Sequence, residues 1–336
     1  MKKSISLILV MVLILGIFSR IGSREEVAEA DVLSVSIVVS STFGDKAFND
    51  SAKEGGELLE AERGLAVDYI ECNYEGIKQK LMDAADESDV VVAVGWECYE
   101  VAEVAPEYPD VKFILVDTPA EGIENIPNLL SLTYAQNEGA FLAGYIAAKM
   151  SDNGIIGAVG GEDSGIVNDF FTGYAQGAKY ANPDIVVETA IAGSYSDLML
   201  GRACALELHG KGADVIFNVA GNSGNGIFLA AKESGFYAIG VDADQKLTKP
   251  DFDDVIICSM KKDIGRSIYD TIAVYDEDRT WDGGMVHVSD MAAGYISVVY
   301  GGENSIQQID DTLKAEVEEL AVKIIAGELK VKSAIK

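Results

Sequence analysis

The sequence predicts an α/β protein of two lobes, each a parallel sheet flanked by helices. Three observations lead there. Apolar runs such as Val35–Val39 and Val90–Val94 recur without polar alternation, the mark of strands covered on both faces. Stretches of helical spacing lie between them, as in Tyr74–Ala85 with Ile77, Leu81 and Ala84 on one face. The alternation runs through one set of strands and then begins again, with no low-complexity linker between the sets.

In the first set Val35–Val39 leads to a helix over residues 50–63. Ala66–Ile70 leads to the helix Tyr74–Ala85, and Val90–Val94 to a helix near Cys98–Ala105. Strands at Val111–Val116 and Asn128–Leu132 follow. The second set opens with an apolar helix at Gly139–Met150 and a strand at Gly154–Val159. It continues with a helix over Val167–Tyr180, a strand at Ile185–Thr189 and a helix over Leu198–His209. Val215–Val219 then leads to a helix opening at Gly226, and strands at Tyr237–Val241 and Val255–Cys258 close the series.

Acidic residues number 55 against 26 basic, for a net charge of −29. Such a surface repels phosphate backbones and anionic headgroups, so nucleic acid is not an expected partner. The basic start Met1-Lys2-Lys3 and the apolar stretch Ile5–Phe18 read as a signal segment, too short for a typical membrane span. An uncleaved anchor is the other reading. The expectation is an exported chain at the outer face of the cytoplasmic membrane or in the periplasm. Cys72, Cys98, Cys204 and Cys258 form no CxxC pair, and read as free thiols rather than zinc ligands.

Open α/β sheets bind ligands beyond the carboxyl ends of their strands. There the first set offers Asp45–Asp50, Gly95-Trp96-Glu97 and Asp117-Thr118. The second offers Gly160–Gly165, Gly221–Gly226 and Asp242-Ala243-Asp244. These are aromatic, amide and carboxylate groups with almost no cation, so a phosphate ligand is not expected. His209 reads as a partner of a helix C-terminus and His287 as a strand residue. The chain has no G-x-S-x-G elbow, no GK[ST] and no Rossmann glycine order. Asp242, Asp244, Asp45 and Asp50 are the only metal candidates, and no metal or cofactor is expected.

The motifs, in order, resemble the basic membrane protein family, the substrate-binding lipoproteins of ABC transporters. Gly44–Ser51 is similar to its DKSFN segment, Tyr108–Phe113 to YPDVKF and Asn137–Tyr145 to HEGSFLAGY. Gly160–Asp163 is similar to GGMD, Gly221–Glu233 to GGTGNGVFQAAKE and Gly240–Gln245 to GVDSDQ. The resemblance covers about residues 35–330. The family's lipidation cysteine is absent, and its lysine–arginine pair is Lys261-Lys262 here.

The resemblance implies a periplasmic-binding fold of type I with a hinge of three crossings. The expected N-terminal lobe comprises residues 31–134 and 262–289, the C-terminal lobe residues 135–261 and 290–336, after a targeting segment at 1–30. It also implies a purine nucleoside (guanosine, inosine or adenosine) in the cleft, an ABC permease as partner, a monomer, and no enzymatic activity. By position, Phe48 stacks on the base, Asn49 and Asp163 read its edge, and Asp242 and Lys262 meet the ribose. Phe228, Phe170 and Trp96 compete for the second stacking face, with Phe228 ranked first. Asp45, Gly221 and Asn222 complete the expected site. Without the motif, Phe48 reads as a plug for the lobe's core, and Asp163 or Asp242 as a helix cap. A sensory protein for a sugar-like signal and a nucleoside hydrolase are the alternatives.

Overall fold

Strand β1 (Ser34–Val39) is buried along almost its whole length, as its unbroken apolar run requires. The computed structural model describes residues 32–335, so the signal segment and most of the expected targeting region lie outside the described residues. From Ser34 onward the chain forms one unit. After β1 come α1 (Phe48–Leu58), β2 (Ala66–Glu71), α2 (Ile77–Glu87), β3 (Val90–Val94), α3 (Val101–Val104), β4 (Lys112–Val116) and β5 (Leu129–Tyr134). Then follow α4 (Gln136–Met150), β6 (Ile155–Gly160), α5 (Gly165–Ala181), β7 (Val186–Ile191), α6 (Leu198–Gly210), β8 (Val215–Val219), α7 (Asn225–Ser234) and β9 (Tyr237–Asp242). The chain ends with α8 (Gln245–Thr248), β10 (Ile256–Lys262), α9 (Ile264–Asp278), β11 (Val286–Ser289), β12 (Ile296–Val299) and α10 (Asp311–Ile325).

Two six-stranded sheets result, in the orders β11-β5-β4-β3-β1-β2 and β12-β10-β9-β8-β6-β7. The first is wholly parallel. The second departs from expectation at one edge, where β12 pairs antiparallel with β10. The path of the chain explains this. Parallel strands of both sheets end at the cleft, but β12 enters its sheet from the cleft, directly after β11, and so runs the other way. The chain passes between the sheets three times: from β5 into α4, from β10 into α9, and from β11 into β12.

The second lobe depends on close helix crossing. A Cβ on Gly177 of α5 would stand 1.7 Å from the Phe141 carbonyl oxygen, and one on Gly144 of α4 would stand 1.9 Å from that of Tyr174. Both clashes are with backbone, which cannot turn aside. Gly177→Ala is therefore expected to destabilise the protein by about 3 kcal/mol, the upper part of the overpacking range. Urea unfolding measures this, and an unchanged midpoint would show that the helices can separate at little cost.

All four cysteines are free, Cys98 and Cys258 buried in the cores. Among the described residues no helix is long and apolar enough to cross a membrane, and no cluster of acidic, histidine or cysteine side chains is arranged for a metal ion.

Candidate functional site

The loop before α1 is tied by two aspartates that reach past each other. The Asp45 carboxylate accepts from the amides of Ala47, Asn49 and Asp50 at 2.9, 2.9 and 3.1 Å. These amides open the helix and have no partner within it. The Asp50 carboxylate accepts from the amides of Gly44 and Lys46 at 2.7 and 2.9 Å. Lys46 takes a left-handed φ of 54° to fit this turn. The result sets Phe48 at the first position of α1, half-buried, with its ring on a cavity of about 320 Å³ between the sheets. That volume suits a small organic ligand.

Both sheets line the cavity. From the first come Phe48, Asn49, Trp96, Glu97 and Asp117; from the second come Glu162, Phe170, Tyr195, Asn222 and Asp242. Lys262, at the end of the crossing strand β10, lies beneath them, 2% exposed. Its ammonium donates to Asp117 at 2.8 Å and stands 3.9 Å from Asp242. It also lies 5.0, 5.3 and 5.4 Å from the ring centroids of Phe48, Tyr134 and Phe170, within range of cation–π attraction. Asp117 and Asp242 end β4 and β9 and share left-handed backbone, φ 77° and 65°. Left-handed residues other than glycine are strained, and here the strain turns one carboxylate from each sheet toward the same lysine.

Burial dominates the electrostatics. It raises the Asp117 carboxyl although Lys262 opposes the shift. Asp242 is pushed up to about 7 by burial, with Lys262 opposing and Asp117 and Asp45 adding repulsion. Glu97 is likewise pushed up to about 7, chiefly by burial, against the bond from its own backbone amide and with repulsion from Asp117 and Glu162 adding to the rise. Asp45 is raised by burial against its three amide donors. Lysine 249, at the mouth, is lowered by burial; it donates to the Asp45 carbonyl at 3.0 Å, and Thr248 donates to the Lys46 carbonyl at 3.2 Å. These two bonds join the lobes in a closed arrangement.

Asp45, Phe48, Asn49, Trp96, Phe170, Gly221, Asn222, Asp242 and Lys262 are brought together. Two expected residues are placed elsewhere. Phe228 is fully buried in the core of the second lobe, its ring 5.8 Å from that of Phe252. It lies on the face of α7 that packs against the sheet, so its high rank as a stacking partner is corrected. Asp163 is exposed, outside the cavity lining, and accepts from Asn168 at 3.0 Å. Ser164 rather than Asp163 caps α5, and Glu162, one residue earlier, faces the cavity. The amide hydrogens of Asn49 go to Ser41 Oγ and the Thr42 carbonyl at 2.9 and 3.0 Å, which leaves its oxygen for a ligand donor.

Tyr195, Tyr74 and the serines around them were not among the expected residues. They follow β7 and β2, two edge strands whose polar alternation hid their ends. Tyr195 lies against Gly161: a Cβ there would stand 2.2 Å from the ring. Trp96 keeps its indole N–H buried without a partner among the described residues, although it lines the cavity.

A cleft closed between two α/β sheets joined by three crossings, with a polar and aromatic lining, defines a binding protein of the type I periplasmic class. Solved structures agree. A solute-binding protein of an ABC transporter system from Aeropyrum pernix matches 90% of this chain and 94% of its own, with a TM-score of 0.80 and 26% identity. One from Conexibacter woesei matches 91% and 100%, with a TM-score of 0.74 and 26% identity. The family described as "ABC transporter substrate-binding protein PnrA-like" matches residues 32–334, and the chain belongs to it. Among its relatives are Basic membrane protein A1 of Borrelia garinii, 36% identical over 90% of this chain and 88% of its own length, and Basic membrane protein A of Borreliella burgdorferi, 36% identical over 90% and 89%. The chain is thus a substrate-binding protein of an extracytoplasmic ABC transporter family.

Proposed function

We propose that this chain captures purine nucleosides outside the cytoplasmic membrane and delivers them, as a monomer, to an ABC permease. The observation that carries this reading is the cavity's composition. An aromatic face, Phe48, stands beside buried carboxylates, and Lys262, the one basic residue among the described lining residues, is already engaged by two of them. A nucleoside matches it: a flat ring with polar edges, plus hydroxyls that donate to Asp242. A phosphate would meet Asp117, Glu97 and Asp242 and find no spare cation.

Phe48 takes one face of the base, and Phe170, from the opposite lobe, replaces Phe228 as the other jaw. The lobes, residues 31–134 with 262–289 and residues 135–261 with 290–336, open about the three crossings, and the Lys249 and Thr248 bonds hold the mouth shut. The chain does no covalent chemistry, and its signal segment carries it to the outer face of the cytoplasmic membrane.

A thermal-shift panel of nucleosides, bases and pentoses tests this. At about 100 times its dissociation constant a nucleoside should add roughly 2.7 kcal/mol of stability. A melt raised by pentoses and not by guanosine, inosine or adenosine would favour the sugar-signal reading. Free base released during incubation would favour a hydrolase.

A further inference from the structure

We propose that Glu97 reads the base edge and sorts purine nucleosides by whether that edge offers two adjacent donors, as guanine does, or one donor beside an acceptor, as adenine and hypoxanthine do. This rests on the nucleoside reading above and assigns the edge-reading role that Asp163 does not fill.

The geometry begins at Gly95, which follows β3 directly with a φ of 97°. A Cβ there would stand 2.5 Å from Glu97 Oε2 and 3.7 Å from Phe48 Cε1. The missing side chain leaves room for the Glu97 carboxyl and the Phe48 ring at the same spot of the cavity wall. A base stacked on that ring would have the Glu97 carboxyl within reach of its edge. Among the described residues Glu97 has no side-chain or salt-bridge partner, unlike Asp117 with Lys262, and its carboxyl accepts one backbone bond, from its own amide, where Asp45 accepts three. It is a polar group in the cavity whose acceptor capacity is not spent on another side chain.

The chemistry then separates two ligand classes. An ionised carboxylate only accepts. Guanine and hypoxanthine present an N1–H donor, and guanine adds its 2-amino group. Adenine presents its 6-amino donor beside the N1 acceptor, and hypoxanthine its N1–H beside the O6 acceptor, so an ionised carboxylate meets one donor and one repelling acceptor on either, whereas a protonated carboxyl pairs with both atoms of each. Facing Glu97 are Asp117 beyond β4 and Glu162 beyond β6, both acidic, with the hydroxyls of Tyr74 and Tyr195 and the neighbouring Cys98 thiol. Asp242 and Lys262 lie farther along the cavity. Burial and the two acidic neighbours place the Glu97 titration at about 7. Guanosine should gain on adenosine and inosine as pH rises through that value. Asp242 also titrates near there, but it meets the ribose common to all these ligands and cancels in a ratio of affinities.

Calorimetric titration of inosine, guanosine and adenosine, at about pH 5.5 and about pH 8.5, reads that ratio. The guanosine-to-adenosine affinity ratio should rise roughly tenfold between the two, the scale of one charged hydrogen bond, while the inosine-to-adenosine ratio stays nearly level. Glu97→Gln, which keeps the shape and always both donates and accepts, should flatten the ratio against pH. A ratio that changes equally with pH in Glu97→Gln, or not at all in the unaltered protein, overturns the proposal and leaves nucleoside binding standing. If no nucleoside binds at either pH, the nucleoside reading falls and this proposal with it. The pH series on the unaltered protein decides the matter even if the variant folds poorly.

Discussion

Replacing Lys262 by methionine should cost about 3–5 kcal/mol of stability near pH 8, the range for removing one partner of a buried ion pair. The reason is what stays behind. Asp117 and Asp242 keep their strained turns and remain buried, facing each other with no cation between them. The cost should depend on pH. Both carboxyls already titrate above their unfolded value of 3.8. The folded state thus holds more protons than the unfolded one, and stability present at low pH is lost as pH rises, for Asp242 through about 7. Without Lys262, whose charge opposes both shifts, the folded values climb further and the loss deepens at high pH. Urea melts at pH 5 and pH 8, two conditions bracketing that titration, should show a large deficit at the higher pH and a much smaller one at the lower. Equal deficits at both would mean that the lysine acts mainly by packing among Phe48, Tyr134 and Phe170.

Phe48→Ala should lower nucleoside affinity roughly 10- to 100-fold, the worth of one base–aromatic stack at about 1–3 kcal/mol. Stability should fall far less than the ~3–5 kcal/mol of a buried phenylalanine, because the ring is half-buried and borders the cavity. The loop holds without it: the bonds of Asp45 and Asp50 run to backbone amides and do not involve the ring. Titration beside a urea melt checks both halves. A large loss of stability with affinity retained would return Phe48 to the role of core plug.

The strand runs were legible because their burial is written in local composition. Val90–Val94 is unbrokenly apolar, and every residue of it is buried in the structure. Helix bounds shifted by a few residues where capping decided them, as at α1, which begins at Phe48 rather than near Asp50. The antiparallel β12 was not legible, since Ile296–Val299 looks like any short strand and its direction depends on where the chain comes from.

The site divides the same way. Phe48, Asn49, Asp242 and Lys262 belong to motifs at strand ends, and the cavity holds them all. Phe228 and Asp163 also belong to such motifs, yet a helix turns one into the core and the other, one residue before the cap Ser164, stands in solvent. A difference of one residue along the chain decides between Glu162 and Asp163. What the sequence determined by itself was the family, the two α/β sets and the strand ends where a ligand would lie, because burial and turn chemistry are local. Which side chains meet there was decided only by the tertiary structure. The cleft is built from two sheets and a crossing strand, and Asp117, Asp242 and Lys262 are far apart in the chain until the sheets face each other.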